Sequence, residues 1–207
     1  MDLETHRIFL NQYYGLSRHI YDFTRRYYLL GRNRCLDGLL SEQWQRLIEI
    51  GPGTGRNLRY LIQKRPEAMY GGVEASDKML EHAKKRVSGV KFIRGFAEEI
   101  DYTQLLGDKP DRILLSYALS MIQNQDAAIE NARRRLSASG EVIMVDFGDL
   151  KGLPRPIRMG LRQWLEWFHV TPISDEWLRA SGAIVSHGPG RYYVIARWKP
   201  LSNKSQV

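Results

Sequence analysis

The sequence predicts an α/β fold in which a mostly parallel sheet is wrapped by helices and closed by a C-terminal antiparallel hairpin. Three observations predict it. Strand and helix patterns alternate from about residue 45 onward, as parallel strands with crossover helices require. The apolar run Leu47-Ile48-Glu49-Ile50 ends at three alternate glycines, Gly51, Gly53 and Gly55, the mark of a buried strand feeding a tight turn. Near the C-terminus, Gly182-Ala183-Ile184-Val185-Ser186-His187 and Arg191-Tyr192-Tyr193-Val194-Ile195-Ala196-Arg197-Trp198 flank Gly188-Pro189-Gly190, which reads as two strands joined by a turn.

In chain order, strands are expected near 46–50, 69–74, 91–94, 111–116 and 140–147, with helices over 56–64, 77–87 and 124–137. Gly55 opens the first helix, Ser76 or Asp77 caps the second, and Ser139-Gly140 ends the third. Residues 46–200 form one domain on this reading, preceded by a helical arm over 1–45 and followed by a tail over 201–207. A chain of 207 residues can bury a sizeable core as a single domain.

Composition excludes several classes. No apolar run of about eighteen residues occurs, so no bilayer span is expected. The polar start Met1-Asp2-Leu3-Glu4 does not read as a leader, and the single Cys35 cannot form an internal disulfide, so a cytoplasmic setting is expected. No His and Cys set has zinc spacing, and His19, His82 and His187 read as surface or packing residues, so no metal is expected. The net charge of +8 favours an anionic partner.

The glycine loop suits a small molecule, because bare backbone lets a ligand approach where a Cβ would stand in the way. A dinucleotide fingerprint wants its third glycine at position 56, where this chain has Arg56, and no GxxxxGK[ST] segment is present. A nucleoside without phosphates remains. The plainer alternative is a strand-to-helix turn with no ligand.

The pattern from Glu49 through Gly55 resembles motif I of the class I S-adenosylmethionine-dependent methyltransferases, which have a Rossmann-like sheet. Tyr70-Gly71-Gly72-Val73-Glu74 reads as a second strand ending in an acid about twenty positions on, where such folds hold the ribose. The segment Val90 to Glu99 is similar to the strand and loop that flank adenine in that family, with Phe96 where many members carry Asp. The resemblance therefore implies S-adenosyl-L-methionine as cofactor. It would be held by Glu49, Gly51, Gly53, Thr54, Gly55, Asn57, Glu74, Ala75, Met79, Gly95, Phe96, Ala97, Glu98, Ser116 and Tyr117.

Two segments lie outside that core. The arm aligns Tyr13, Leu16, Ile20, Phe23 and Tyr27 at helical spacing, and reads either as packing or as a lid over the open strand ends. On a helix starting near Pro154, Ile157, Leu161, Trp164, Leu165 and Phe168 share one face and Arg155, Arg158 and Arg162 another. Residues 154–168 thus fit an anionic membrane surface, with packing on the sheet as the alternative. Nucleic acid is not expected, since no binding module is appended.

The stretch His19 to Arg32, with Ser116-Tyr117-Ala118-Leu119-Ser120-Met121-Ile122 and Trp167-Phe168-His169-Val170-Thr171-Pro172, resembles the N-methyltransferase of bacterial betaine lipid synthesis. That family is related to the phosphatidylethanolamine N-methyltransferases. The resemblance implies methylation of the amine of diacylglyceryl homoserine by a protein peripheral to the inner membrane surface. Tyr117, His169 and Tyr21 are the candidate catalytic residues, with Tyr117 or His169 able to take the amine proton. Tyr13, Tyr14, Tyr28, Arg32 and Ser120 are the candidate substrate contacts, the tyrosine rings facing a methylated ammonium. For Arg32 the plainer reading is a surface arginine paired with Asp37. Phosphatidylethanolamine, a soluble small molecule or a quinone as acceptor, and cofactor binding without catalysis, stay open as alternatives.

Overall fold

A computed structural model describes residues 29–168 and 170–201. The elements are α1 (Arg32–Leu40), β1 (Arg46–Ile50), α2 (Arg56–Lys64), β2 (Met69–Glu74), α3 (Asp77–Arg86), β3 (Val90–Arg94), β4 (Arg112–Ser116), α4 (Gln125–Arg134), β5 (Glu141–Phe147), α5 (Arg155–Trp167), α6 (Asp175–Ala180), β6 (Ile184–His187) and β7 (Tyr193–Trp198). One seven-stranded sheet runs in the order β3-β2-β1-β4-β5-β7-β6. Strands β1 to β5 pair in parallel, and β7 is antiparallel to both β5 and β6. The fold class and strand positions are those the sequence predicts. Two details go beyond it: β7 inserts between β5 and β6, and the short helix α6, capped by the Ser174 hydroxyl accepting from the Trp177 amide, fills the link before β6.

Strand periodicity sorts the core into two layers. Ile48, Ile50, Ile113, Leu115, Val142 and Met144 face α4 through Ala128, Ile129 and Ala132. Leu47, Leu114, Ile143 and Val145 face the opposite side, with Leu36 and Leu39 of α1 and Leu58 and Leu61 of α2. Glu49 has the parity of Leu47, so its carboxylate points to the α1 and α2 side. This register places an acid under two helices, and the site is built around it. Leu58 and Leu61 are fully buried, and truncating either to Ala would cost about 2–5 kcal/mol.

Helix α1 is part of that packed layer, while Tyr13, Leu16, Ile20, Phe23 and Tyr27, on which the lid reading rests, lie outside the described residues. Tyr13, Tyr14, Tyr21, Tyr28 and His169 lie outside the described residues. Among the described residues no helix is long and apolar enough to cross a membrane, and no group of His, Cys, Asp and Glu could hold a metal ion.

Candidate active site

The carboxyl ends of β1, β2 and β4 open a cleft enclosing about 650 Å³, lined by Gly51, Gly53, Glu74, Ala75, Gly95, Phe96, Ala97, Glu98, Tyr117, Ala118, Met121 and Ile122 among others. Across Gly51 lies a second, polar pocket of about 440 Å³, lined by Leu29, Arg32, Glu49, Thr54, Arg56, Asn57 and Ser116. Gly51 lines both.

The loop between β1 and α2 is shaped by its neighbours. Gly51 has φ 67°, and a Cβ on it would stand 2.8 Å from the Ala118 Cβ, so no other residue fits there. Gly53 also has a positive φ, but a Cβ there would meet nothing within 4 Å, which leaves the cleft side of the loop bare. Gly55 is different: its Cβ would strike Val87 at 2.6 Å. It lets α2 pack against the end of α3, and it is not among the residues lining either cavity.

Glu74, buried at the end of β2, accepts from the Gly53 amide through Oε2 and from the Ser76 amide through Oε1, both at 3.0 Å. The loop and the carboxylate thus hold each other in place, and the remaining lone pairs can accept hydroxyl donors. Glu49 is 1% exposed. Its Oε1 accepts from Asn57 Nδ2 at 2.7 Å, while its Oε2 has no partner. Burial pushes its pKa up to about 8, opposed by Asn57 and by the Arg32 charge. Asn57 therefore orients the acid. Ser116 Oγ is likewise buried without a partner and lines the same pocket.

Other assignments change on inspection. Arg32 is not a surface residue: it is 8% exposed and lines the polar pocket with Glu49. Asp37 instead accepts from the Tyr60 hydroxyl. Met79 is buried in α3, its amide capped by Ser76 Oγ, and it lines neither cavity. Ser120 uses its backbone amide to donate to Asp146 Oδ2 at 3.0 Å, which fixes the turn carrying Met121 and Ile122. Asp146, an acid following the apolar run Val142 to Val145 in β5, was the signal available for that role.

Tyr117 follows β4 with φ 54°, a left-handed conformation that costs a tyrosine about 1–3 kcal/mol. Its ring packs edge-on against Phe147 with centroids 4.9 Å apart, and its hydroxyl donates to the Leu30 carbonyl. Burial, and then the nearby Asp146 charge, hold the phenol far above the usual tyrosine range. Tyr117 keeps its proton in this arrangement, and its hydroxyl ties the segment before α1 to the cleft wall.

Residues 48–142 match the methyltransferase domain family. The chain is 26% identical over 116 residues to a demethylmenaquinone methyltransferase of Thermotoga maritima, covering 56% of this chain and 49% of that one. It thus spans about half the length of this curated relative. A possible histamine N-methyltransferase from Thermotoga maritima shares the fold with a TM-score of 0.65 and 21% identity, covering 90% and 97% of the two chains. The plantazolicin methyltransferase BpumL, solved with S-adenosylhomocysteine, aligns with a TM-score of 0.71 and 13% identity over 96% of each chain. The residues present fit such a cofactor: a clamped carboxylate suits a ribose, the apolar end of the cleft a base, and the unpartnered Glu49 oxygen beside Arg32 the zwitterionic methionine end. On that match and this fold, the chain is similar to class I S-adenosylmethionine-dependent methyltransferase domains.

Proposed function

We propose that the protein methylates the amine of a membrane lipid head group, taking diacylglyceryl homoserine toward its trimethylated betaine form. The observation that carries this reading is helix α5. Of its thirteen residues only Leu165 is buried, while Ile157, Met159 and Trp167 are 52%, 59% and 71% exposed. Arg155, Arg158 and Arg162 lie on the adjoining face, a combination that suits an anionic lipid surface. Leu161 and Trp164 pack on the same core layer as Tyr117, which links this helix to the cleft wall.

The cleft supports an amine as acceptor. S-adenosylmethionine supplies an activated methyl group to an in-line nucleophile. Among the described residues lining the cleft, Glu74 is held by two backbone amides and Tyr117 donates its own proton, which leaves Glu98 as the carboxylate able to act as a base. A neutral amine needs none, because it attacks with its lone pair and releases a proton to water afterwards. The residues then act by holding the reactants in an attack geometry. A quinone is the second reading, favoured by the demethylmenaquinone relative.

Purified protein supplied with S-adenosylmethionine and lipid vesicles tests this. Lipid products heavier by one, two or three methylene masses are expected, and methylated quinone without methylated lipid would refute the lipid reading. Changing Arg155, Arg158 and Arg162 to Gln should weaken binding to anionic vesicles by roughly 1 kcal/mol per charge and flatten its salt dependence. Equal vesicle binding by the triple variant would mean that α5 does not dock.

A further inference from the structure

We propose that seating the cofactor's ammonium against Glu49 expels a proton from that carboxyl, so that cofactor binding and proton release are one event. The inference rests on the cofactor reading of the cleft and adds to it a proton exchange located on one residue.

The geometry is specific. Glu49 has one oxygen committed to Asn57 at 2.7 Å and one with no partner, in a pocket where the Ser116 hydroxyl is also unpartnered. A buried carboxylate with an open oxygen is costly, whereas a carboxylic acid there is tolerable. A cation arriving at that oxygen reverses the preference. The ionisable groups around it are Arg32 and Cys35 of α1, Arg56 at the head of α2, Glu74 at the end of β2 and Tyr117 beyond β4. Burial holds the Cys35 thiol up at about 12, and the Tyr117 phenol stays protonated, so neither carries charge near neutrality. Arg32 lowers the Glu49 pKa and Glu74 raises it, and burial outweighs both. With a pKa of about 8 in the free protein, the group is mostly the neutral acid at pH 7.

The balance is simple. The neutral acid loses its O–H proton to the buffer, and the resulting carboxylate pairs with the ligand's ammonium, which keeps its own proton. No bond to carbon changes.

Calorimetry with S-adenosylhomocysteine in phosphate and in Tris at pH 7 reads the proton directly. We expect the two apparent enthalpies to differ by the amount due to about nine-tenths of a proton released. The affinity should climb about tenfold between pH 6 and pH 7 and level off near pH 8. Glu49→Gln, isosteric with the neutral acid and able to keep the Asn57 contact, should lose both the buffer difference and the pH slope. Glu49→Asp, which still titrates, should keep the buffer difference. Equal enthalpies and a flat pH profile in the parent protein would overturn the proposal, because Glu49 would then be keeping its proton as a donor. A buffer difference that persists in Glu49→Gln would overturn it by placing the proton elsewhere. Absence of S-adenosylhomocysteine binding at every pH would overturn the cofactor reading as well, whereas binding without proton exchange overturns this inference alone.

Discussion

At the ends of the sheet where β4 and β5 begin, Glu42 pairs with Arg112 at 3.1 Å and with Arg197 at 2.6 Å, while Glu141 pairs with Arg197 and with Lys199 at 2.6 Å. Asp111 there accepts from the Gln45 and Arg46 amides and the Ser137 hydroxyl. At the opposite ends, where β1 and β4 finish, Glu49 Oε2 and Ser116 Oγ have no partner and Tyr117 holds a strained backbone. At one end these acids are satisfied within the chain. The other leaves two acceptors open in one polar pocket beside the cleft. Departures of this kind are expected where function intervenes, and these three fall together at the site. The difference teaches which acids hold the fold and which wait for a ligand.

The largest expected effect is on Glu74. Replacing it with Ala removes an acceptor for two ribose hydroxyls, each charge-assisted bond being worth about 1.5–3 kcal/mol, so S-adenosylhomocysteine affinity should fall at least about a hundredfold. The fold should also be affected, because Glu74 secures the Gly53 and Ser76 amides. A loss of about 1 kcal/mol in stability, or roughly 2–4 °C in melting temperature, should accompany it. Glu141→Gln should do the reverse, lowering stability while leaving affinity within threefold. Calorimetry and thermal melts on both variants check the comparison, and an affinity loss in Glu141→Gln larger than in Glu74→Ala would break it.

A second effect comes from opposite titrations at the two ends. Burial raises the Glu141 pKa, but Lys199 and Arg197 more than offset it, and its carboxyl is held below the usual range. Its stabilisation is present above the unfolded-state pKa and is lost as pH falls through the folded-state value. Glu49 runs the other way. Its contribution is fully present below the unfolded value of 4.5 and is lost as pH rises through about 8. Without cofactor, Glu49→Gln should therefore melt about 4 °C or more above the parent at pH 8 and near it at pH 4, while Glu141→Gln should melt below the parent at pH 8. Melts across that range check the signs, and a Glu49→Gln protein less stable than the parent at pH 8 would show the acid to be satisfied within the free protein.

Much of this was legible in the sequence, and what was not has physical causes. Glu49, Gly51, Gly53 and Glu74 could be found because strand ends and glycine spacing are local patterns. The burial of Arg32 could not: an arginine on a mostly polar helix reads as solvated, and only the strand register that turns Glu49 toward α1 makes a polar pocket for it. Gly55 reads like its two neighbours, yet its constraint is Val87, thirty-two positions on. The hairpin was readable from its turn, but which strand joins β5 was decided by burial: β7 carries Val194, Ala196 and Trp198 into the core, whereas β6 keeps an exposed edge. Tyr13, Tyr14 and Tyr28 of the arm, read as facing a methylated ammonium, lie outside the described residues.

The smallest expected effect tests a buried polar group at the open end that is satisfied within the chain. The Tyr117 hydroxyl donates to the Leu30 carbonyl, and Leu30 is half exposed, so water can replace the lost donor. Tyr117→Phe keeps the ring against Phe147 and should cost about 0.5–1.5 kcal/mol of stability, with S-adenosylhomocysteine affinity changed less than threefold. The rate of methyl transfer, measured from pH 6 to pH 9, should keep its shape, because a phenol that retains its proton takes no part in removing one from the amine. Were Tyr117 the proton acceptor, the same variant would lose rate by about a hundredfold or more and its pH profile would change form. A modest stability loss with an unaltered profile would place the hydroxyl with the closed network at the other end of the sheet, as a group that holds the chain in place, and leave the chemistry to the positioning of amine and methyl group.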